Sequence, residues 1–161
     1  IAKRFTALCH FWLGLAIGMA PSAVYIALLQ QVFPEALLMS AALAFYIAGF
    51  DILYALQDRE FDRKAGLYSI PARYGEQTAL WISRLSHVLS LVMIFFVLQQ
   101  IGVSSSGIAG LCLLGALLAL EHWLVGKADA IRYEKIPIAF FNVNSVFSVC
   151  FLLVICAALW L

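Results

Sequence analysis

Charged residues are scarce in this sequence: they make up 12% of 161, where a soluble domain carries about 25%. Hydrophobic residues fill 65% of it, and the mean hydropathy is +0.99. A 17.8 kDa globule cannot hide that much apolar surface, so a soluble fold is excluded and a bilayer must solvate the chain. Long basic runs are absent, and with a formal net charge of +1 nucleic acid is not expected as a partner. Cysteine is sparse as well. Cys9, Cys112, Cys150 and Cys156 all lie inside apolar runs without a CxxC pair, so they are expected to be buried small hydrophobes rather than ligands. No internal repeat, low-complexity tract or linker divides the chain, which is read as a single transmembrane domain, 1–161. It opens on Ile1 rather than Met, followed by Lys3, Arg4 and an apolar run too long for a signal peptide. The expectation is a fragment of a longer protein.

What is present is a set of five apolar runs, each long enough to cross a bilayer core of about 20 helical residues. They cover 5–29, 35–55, 78–99, 106–126 and 137–161, and the fold class predicted is an all-α polytopic helix bundle. Pro21 is expected to kink the first span, because it removes a backbone donor there. The Gly14/Gly18 spacing predicts close helix packing. The connectors 30–34 and 100–105 contain no Lys or Arg. Nine of the ten basic residues lie before the first span, between the second and third, or between the fourth and fifth, and Arg84 lies near the charged start of the third. Alternating spans put those three groups on one side, which the positive-inside rule makes cytoplasmic, with the N-terminus in and Leu161 out. Eight of the nine acids follow the bases, and Glu35 stands apart on the far side. Chemistry is therefore expected at the charged end of the bundle.

The most informative stretch there runs from Asp51 to Pro71. If the second span continues through it as a helix, Asp51, Tyr54, Ala55, Asp58 and Asp62 share a face. Two carboxylates a turn apart repel, and a divalent cation between them relieves the repulsion; hard oxygen donors favour Mg²⁺. Gly66 is expected to end the helix and Pro71 to prevent its resumption nearby. A mixed-charge helix end is equally compatible with simple solvation. Asp51 argues for more, because a carboxylate on the membrane side of a span is costly and marks function.

Asp51-x-x-Tyr54-Ala55-x-x-Asp58-x-x-x-Asp62, followed by Gly66-Leu67-x-Ser69, resembles the second aspartate-rich motif of the UbiA superfamily of intramembrane prenyltransferases. Within it, the 4-hydroxybenzoate polyprenyltransferase branch is the nearer match. Lys3-Arg4-Phe5-Thr6 is similar to the segment before that family's fifth helix, where a YxxxK motif supplies a lysine at the position of Lys3. Phe140-Phe141-Asn142-Val143-Asn144 is similar to the asparagine-containing start of its last helix. The resemblance implies a nine-helix fold of which this chain carries the last five. The first aspartate-rich motif, NDxxDxxxD, is absent from residues 1–161, so this chain alone is expected to be inactive.

The resemblance further implies Mg²⁺ as cofactor, held by Asp58 and Asp62, with the diphosphate of a polyprenyl diphosphate on Lys3, Arg4, Arg63 and Lys64. Asp51 and Tyr54 are the implied catalytic pair, which orient an aromatic acceptor or stabilise the allylic cation. Ser69, His122, Asn142 and Asn144 are candidate substrate contacts, although His122 beside Trp123 and the two asparagines also fit structural roles. His10 and His87 are read as single and unpaired. The acceptor expected is 4-hydroxybenzoate or a related hydroxylated naphthoate, in ubiquinone or menaquinone biosynthesis at a bacterial inner membrane. The rival readings are a transporter or ion pathway lined by Asp51 and Asp58, and a non-catalytic membrane subunit.

Overall fold

Pro21 splits the first apolar run as its missing N–H requires. In the computed structural model, which describes residues 2–102 and 105–160, α1 (Cys9–Gly18) and α2 (Ala20–Leu29) are separated at Met19, with the proline in the first turn of α2. A single helical turn, Ala2–Arg4, precedes them. Next come α3 (Pro34–Tyr54), the short α4 (Arg59–Lys64), α5 (Ile70–Ile101) and α6 (Ser105–Val125). A two-residue β hairpin pairs β1 (Gly126–Lys127) with β2 (Ala130–Ile131), and α7 (Asn144–Trp160) follows a π-helical stretch at Ile138–Val143. Five segments are long and apolar enough to cross a membrane: Cys9–Leu29, Pro34–Tyr54, Ile70–Ile101, Ser105–Val125 and Tyr133–Ala157. The all-α bundle is as predicted; Leu161, the expected end of the fifth span, lies outside the described residues.

Two local expectations fail. Pro71 does not block a helix; it sits in the first turn of α5, where no intrahelical donor is needed, and this short opening segment breaks at Gly75 (φ 83°, ψ 171°) before the long helix runs on through the predicted span. Nor does α3 continue to Asp62. After Tyr54 the chain tightens into i→i+3 turns, with Gln57 N donating to Tyr54 O at 3.1 Å and Asp58 N to Ala55 O at 3.2 Å, before α4 begins. Gly66 does end α4, in the left-handed conformation (φ 67°), with Leu67 N donating to Asp62 O at 2.8 Å. Cysteine burial is also only partly as expected: Cys9 is buried, whereas Cys112 and Cys156 are exposed on the helix surfaces.

α3 is the central helix, packed against α1 on one side and α5 on the other, while α6 and α7 pair beside α5. Lipid tails are as apolar as the helices, so association depends on close fit and on hydrogen bonds made across helices. Both are present. A Cβ on Gly14 would lie 2.3 Å from Ala44 O, so the α1–α3 seam exists only because positions 14 and 18 have no side chain. Ser83 Oγ donates to Gly49 O (2.7 Å) and Ser90 Oγ to Ala42 O (2.8 Å), fastening α5 to α3 along one stripe. Ser22 and Ser40 bond at 2.7 Å where Pro21 opens the first span against α3. An apolar core of Ile52, Leu56, Ile70, Leu80, Val125 and Ile136 underlies the charged end and holds its loops in place.

Candidate active site

The first ten residues and the α3–α5 connection are sewn together. Tyr68 N donates to Lys3 O (2.6 Å), and Cys9 Sγ lies 3.5 Å from Tyr68 O. Lys3 Nζ then reaches Asp62 Oδ2 at 3.0 Å and Asp58 Oδ2 at 3.8 Å. Asp62 is almost wholly buried, at 1% side-chain exposure, whereas Asp58 is half exposed at 50%. The sequence therefore places one fixed and one accessible carboxylate a turn apart, with an ammonium between them.

Asp51 turns elsewhere. The tightened 55–58 turn separates it from the Asp58–Asp62 face, and its Oδ2 meets His10 Nδ1 at 2.6 Å. His10 was expected to be unpaired; it is buried and doubly bonded. Ile70 N donates to His10 Nε2 at 3.3 Å, and because a backbone N–H only donates, Nε2 accepts and Nδ1 carries the proton given to Asp51. The imidazole thus satisfies an orphan donor at the start of α5 and fixes Asp51 in one orientation. Asp51 retains 26% side-chain exposure, so it stays reachable.

Tyr54 faces a third direction. Its ring lies 4.3 Å from that of Phe140 on the π-helical stretch, and Phe50 packs on the same Phe140 at 5.1 Å. One turn deeper, Tyr46 stacks on Phe147 at 4.3 Å and donates to Asn144 Oδ1 at 2.7 Å. Tyr46, Phe50 and Tyr54, at four-residue spacing, form an aromatic wall along α3. Below it, an apolar cavity of about 260 Å³ is lined by Pro21, Ala42, Tyr46, Ile94, Phe147 and Phe151. Sequence reasoning named Tyr54 but missed Tyr46 and Phe50, although their i, i+4, i+8 pattern with Tyr54 was legible, and it cited Phe140 only within the segment before the last helix.

The remaining predicted residues divide. Ser69 is fully buried at the start of α5, with no partner for its Oγ. Arg63 is exposed and faces Glu60 at 3.9 Å instead of Asp62, and Arg4 and Lys64 are exposed. Asn144 bonds across helices to Tyr46, while Asn142 is exposed. His122 Nε2 meets His87 Nδ1 at 3.0 Å, so His87 too is paired, contrary to expectation. Arg59 closes a second acidic cluster: its Nη1 lies 2.7 Å from Glu76 and 3.6 Å from Glu60, and Tyr133 Oη donates to the same Glu76 oxygen at 2.8 Å.

Residues 1–146 match the UbiA prenyltransferase family. The chain belongs to that family. A 4-hydroxybenzoate octaprenyltransferase of Aliivibrio fischeri (strain ES114) is 32% identical over 146 residues, 89% of this chain and 49% of that protein. Another from Alkalilimnicola ehrlichii is 30% identical over 142 residues, 88% of this chain and 47% of its own length. Among solved structures, the apo structure of a UbiA homolog from Aeropyrum pernix K1 superposes with a TM-score of 0.72 at 24% identity, over 94% of this chain and 57% of that one. That likeness establishes the UbiA fold, and with the five apolar helices it makes this a multi-pass membrane protein. The chain spans about half the length of the curated relatives it matches.

Asp58 and Asp62 could hold a divalent cation between them. Asp58 and Asp62 are hard oxygen donors, and the Lys3 ammonium beside both marks the space between them as one that favours a cation. Among the described residues no third His, Cys, Asp or Glu completes a metal set. Mg²⁺ commonly takes only one or two protein carboxylates and fills its remaining positions with water and phosphate.

Proposed function

We propose that this protein transfers a polyprenyl group from its diphosphate to an aromatic acceptor, 4-hydroxybenzoate or a related hydroxylated naphthoate, in quinone biosynthesis. The observation that carries this reading is the Lys3–Asp58–Asp62 cluster at the charged end, from which the aromatic wall of α3 descends to the apolar cavity at Tyr46. Its relatives' names, 4-hydroxybenzoate octaprenyltransferase, support the choice of substrates. The charged end is assigned to the cytoplasmic side by the distribution of Lys and Arg.

Asp58 and Asp62 would hold Mg²⁺, which supplies positive charge to a departing diphosphate. Lys3, already within reach of both carboxylates, is placed to turn its ammonium to a phosphate oxygen, adding charge where it develops in the transition state. Tyr54 and Phe140 present π faces suited to an allylic cation, and the apolar surroundings keep water from quenching it. Asp51, fixed by His10 and still accessible, is placed to orient the acceptor or take the ring proton it loses.

The test uses protein expressed from its complete gene and reconstituted in vesicles, with radiolabelled polyprenyl diphosphate and each acceptor offered separately. Prenylated product is expected only with Mg²⁺, and Asp58→Asn should lower it by about a hundredfold or more. Equal turnover by Asp58→Asn, or turnover unaffected by chelator, overturns the proposal.

A further inference from the structure

The charged end has a second basic neighbourhood, between α5, α6 and the β hairpin. Arg84, Lys127 and Arg132 surround a cavity of about 520 Å³ there, with Asp129 as its one carboxylate. Every Lys or Arg ion pair among the described residues involves Lys3, Arg59 or Arg63, so these three cations have no carboxylate partner. Instead Arg84 lies over the Trp81 ring (5.5 Å) and Arg132 over the Trp123 ring (4.9 Å). Arg84 also reaches Gly126 O at 3.4 Å, and Arg132 bonds Trp123 O. The guanidinium groups are thereby positioned without being neutralised.

This basic pocket continues into an apolar groove. Arg84 and His122 also line a cavity of about 300 Å³ running between α5 and α6 towards the bilayer centre, floored by Gly115 and Ala119 and walled by Leu91 and Leu118. Gly115 lies seven residues, about 10 Å of helix, below His122. Trp81, Leu85, Val88 and Trp123 around it are exposed on membrane-spanning helices, so among the described residues nothing covers the groove's outer side.

We propose that this groove is a binding site for an anionic phospholipid, with the headgroup phosphate among Arg84, Lys127 and Arg132 and one acyl chain over Gly115 and Ala119. The argument is charge complementarity: three unpaired cations face one carboxylate, at interfacial depth marked by two tryptophans, above a slot of acyl-chain character. Polyprenyl diphosphate is the lesser fit, because this side offers no carboxylate pair through which a metal would bridge to a diphosphate.

The test is fluorescence quenching in nanodiscs of protein from the complete gene, with Trp12, Trp160 and every tryptophan outside residues 1–161 replaced by Phe, so that Trp81 and Trp123 report. The probes are phosphatidylglycerol and phosphatidylcholine with the same dibrominated acyl chain. Phosphatidylglycerol should quench saturably at low mole fraction and phosphatidylcholine only in proportion to its abundance. Arg84→Gln and Lys127→Gln should each weaken the phosphatidylglycerol preference about fivefold. Gly115→Leu should remove the saturable component with all three charges intact; its Cβ meets only Leu91 at 3.6 Å, so the fold should tolerate it. Thermal melts confirm that each variant is folded. Equal quenching by both lipids, an unchanged preference in the charge variants, or full displacement by equimolar inorganic phosphate or polyprenyl diphosphate overturns the proposal.

Discussion

Two basic neighbourhoods share the charged end of this bundle, and they are wired in opposite ways. Around α4 the paired cations face carboxylates: Lys3 is 3.0 Å from Asp62, and Arg59 is 2.7 Å from Glu76. Between α5 and α6, Arg84 and Arg132 are held by π systems and backbone carbonyls, with Asp129 across the cavity but ion-paired to neither. A cation already held by a carboxylate binds an anion only after an exchange, whereas an unpaired one binds it directly. The first arrangement suits a site whose carboxylates take a metal as the lysine turns to phosphate. The second suits a standing site for a lipid anion. Counting Lys and Arg for topology treats all ten alike and passes over this division.

Removing Asp62 should break the first neighbourhood most severely. Asp62→Ala is expected to lower prenyl transfer by about a hundredfold to a thousandfold, as loss of a charge-stabilising group commonly does. It should also cost about 1–2 kcal/mol of stability, because Lys3, one third exposed, loses its nearest partner. Asp58→Ala should match it in activity but not in stability, since Asp58 is half solvated and 3.8 Å from the lysine. Product formation and thermal unfolding of the two variants side by side separate these effects; equal destabilisation would show that burial of Asp62 is irrelevant.

His10→Phe comes next. It keeps the ring's bulk but leaves Asp51 without its 2.6 Å donor and Ile70 N without an acceptor. A cost of about 1–3 kcal/mol is expected from the orphaned groups, with turnover down about tenfold. The decisive readout is the pH profile of kcat: if Asp51 acts through its orientation, the acid limb should shift in His10→Phe, and a merely structural histidine would leave it in place.

That pair also shows where sequence reading succeeded and where it stopped. The five spans, the break at Pro21, the helix stop at Gly66 and the glycine seam were legible because each is a local rule about donors, periodicity or side-chain size. The His10–Asp51 contact spans 41 positions and arises from α1–α3 packing, so no local pattern announces it. One clue was present: in adjoining antiparallel spans, His10 lies at the charged start of α1 and Asp51 near the charged end of α3, hence at similar depth. The face shared by Asp51, Tyr54, Asp58 and Asp62 rested on a helix continuing through Asp58, and periodicity does not distinguish an α turn from the tighter turns found there.

Arg84→Gln should sharpen the contrast from the other side, leaving prenyl transfer within about twofold of wild type while it weakens the lipid preference about fivefold. A smaller effect still is expected at Tyr46, and it sets the scale for the rest. Its hydroxyl donates to Asn144 at 2.7 Å, joining α3 to α7 through one neutral bond, with the ring stacked on Phe147. Tyr46→Phe removes the bond and keeps the stack. Neutral hydrogen bonds between membrane helices average about 0.6 kcal/mol, because helices in lipid find other partners when separated. Unfolding in mixed detergent micelles should therefore shift by no more than about 1 kcal/mol. A larger loss would mean that Asn144 has no alternative donor and that the α3–α7 contact, not the charged end, holds the aromatic wall in place.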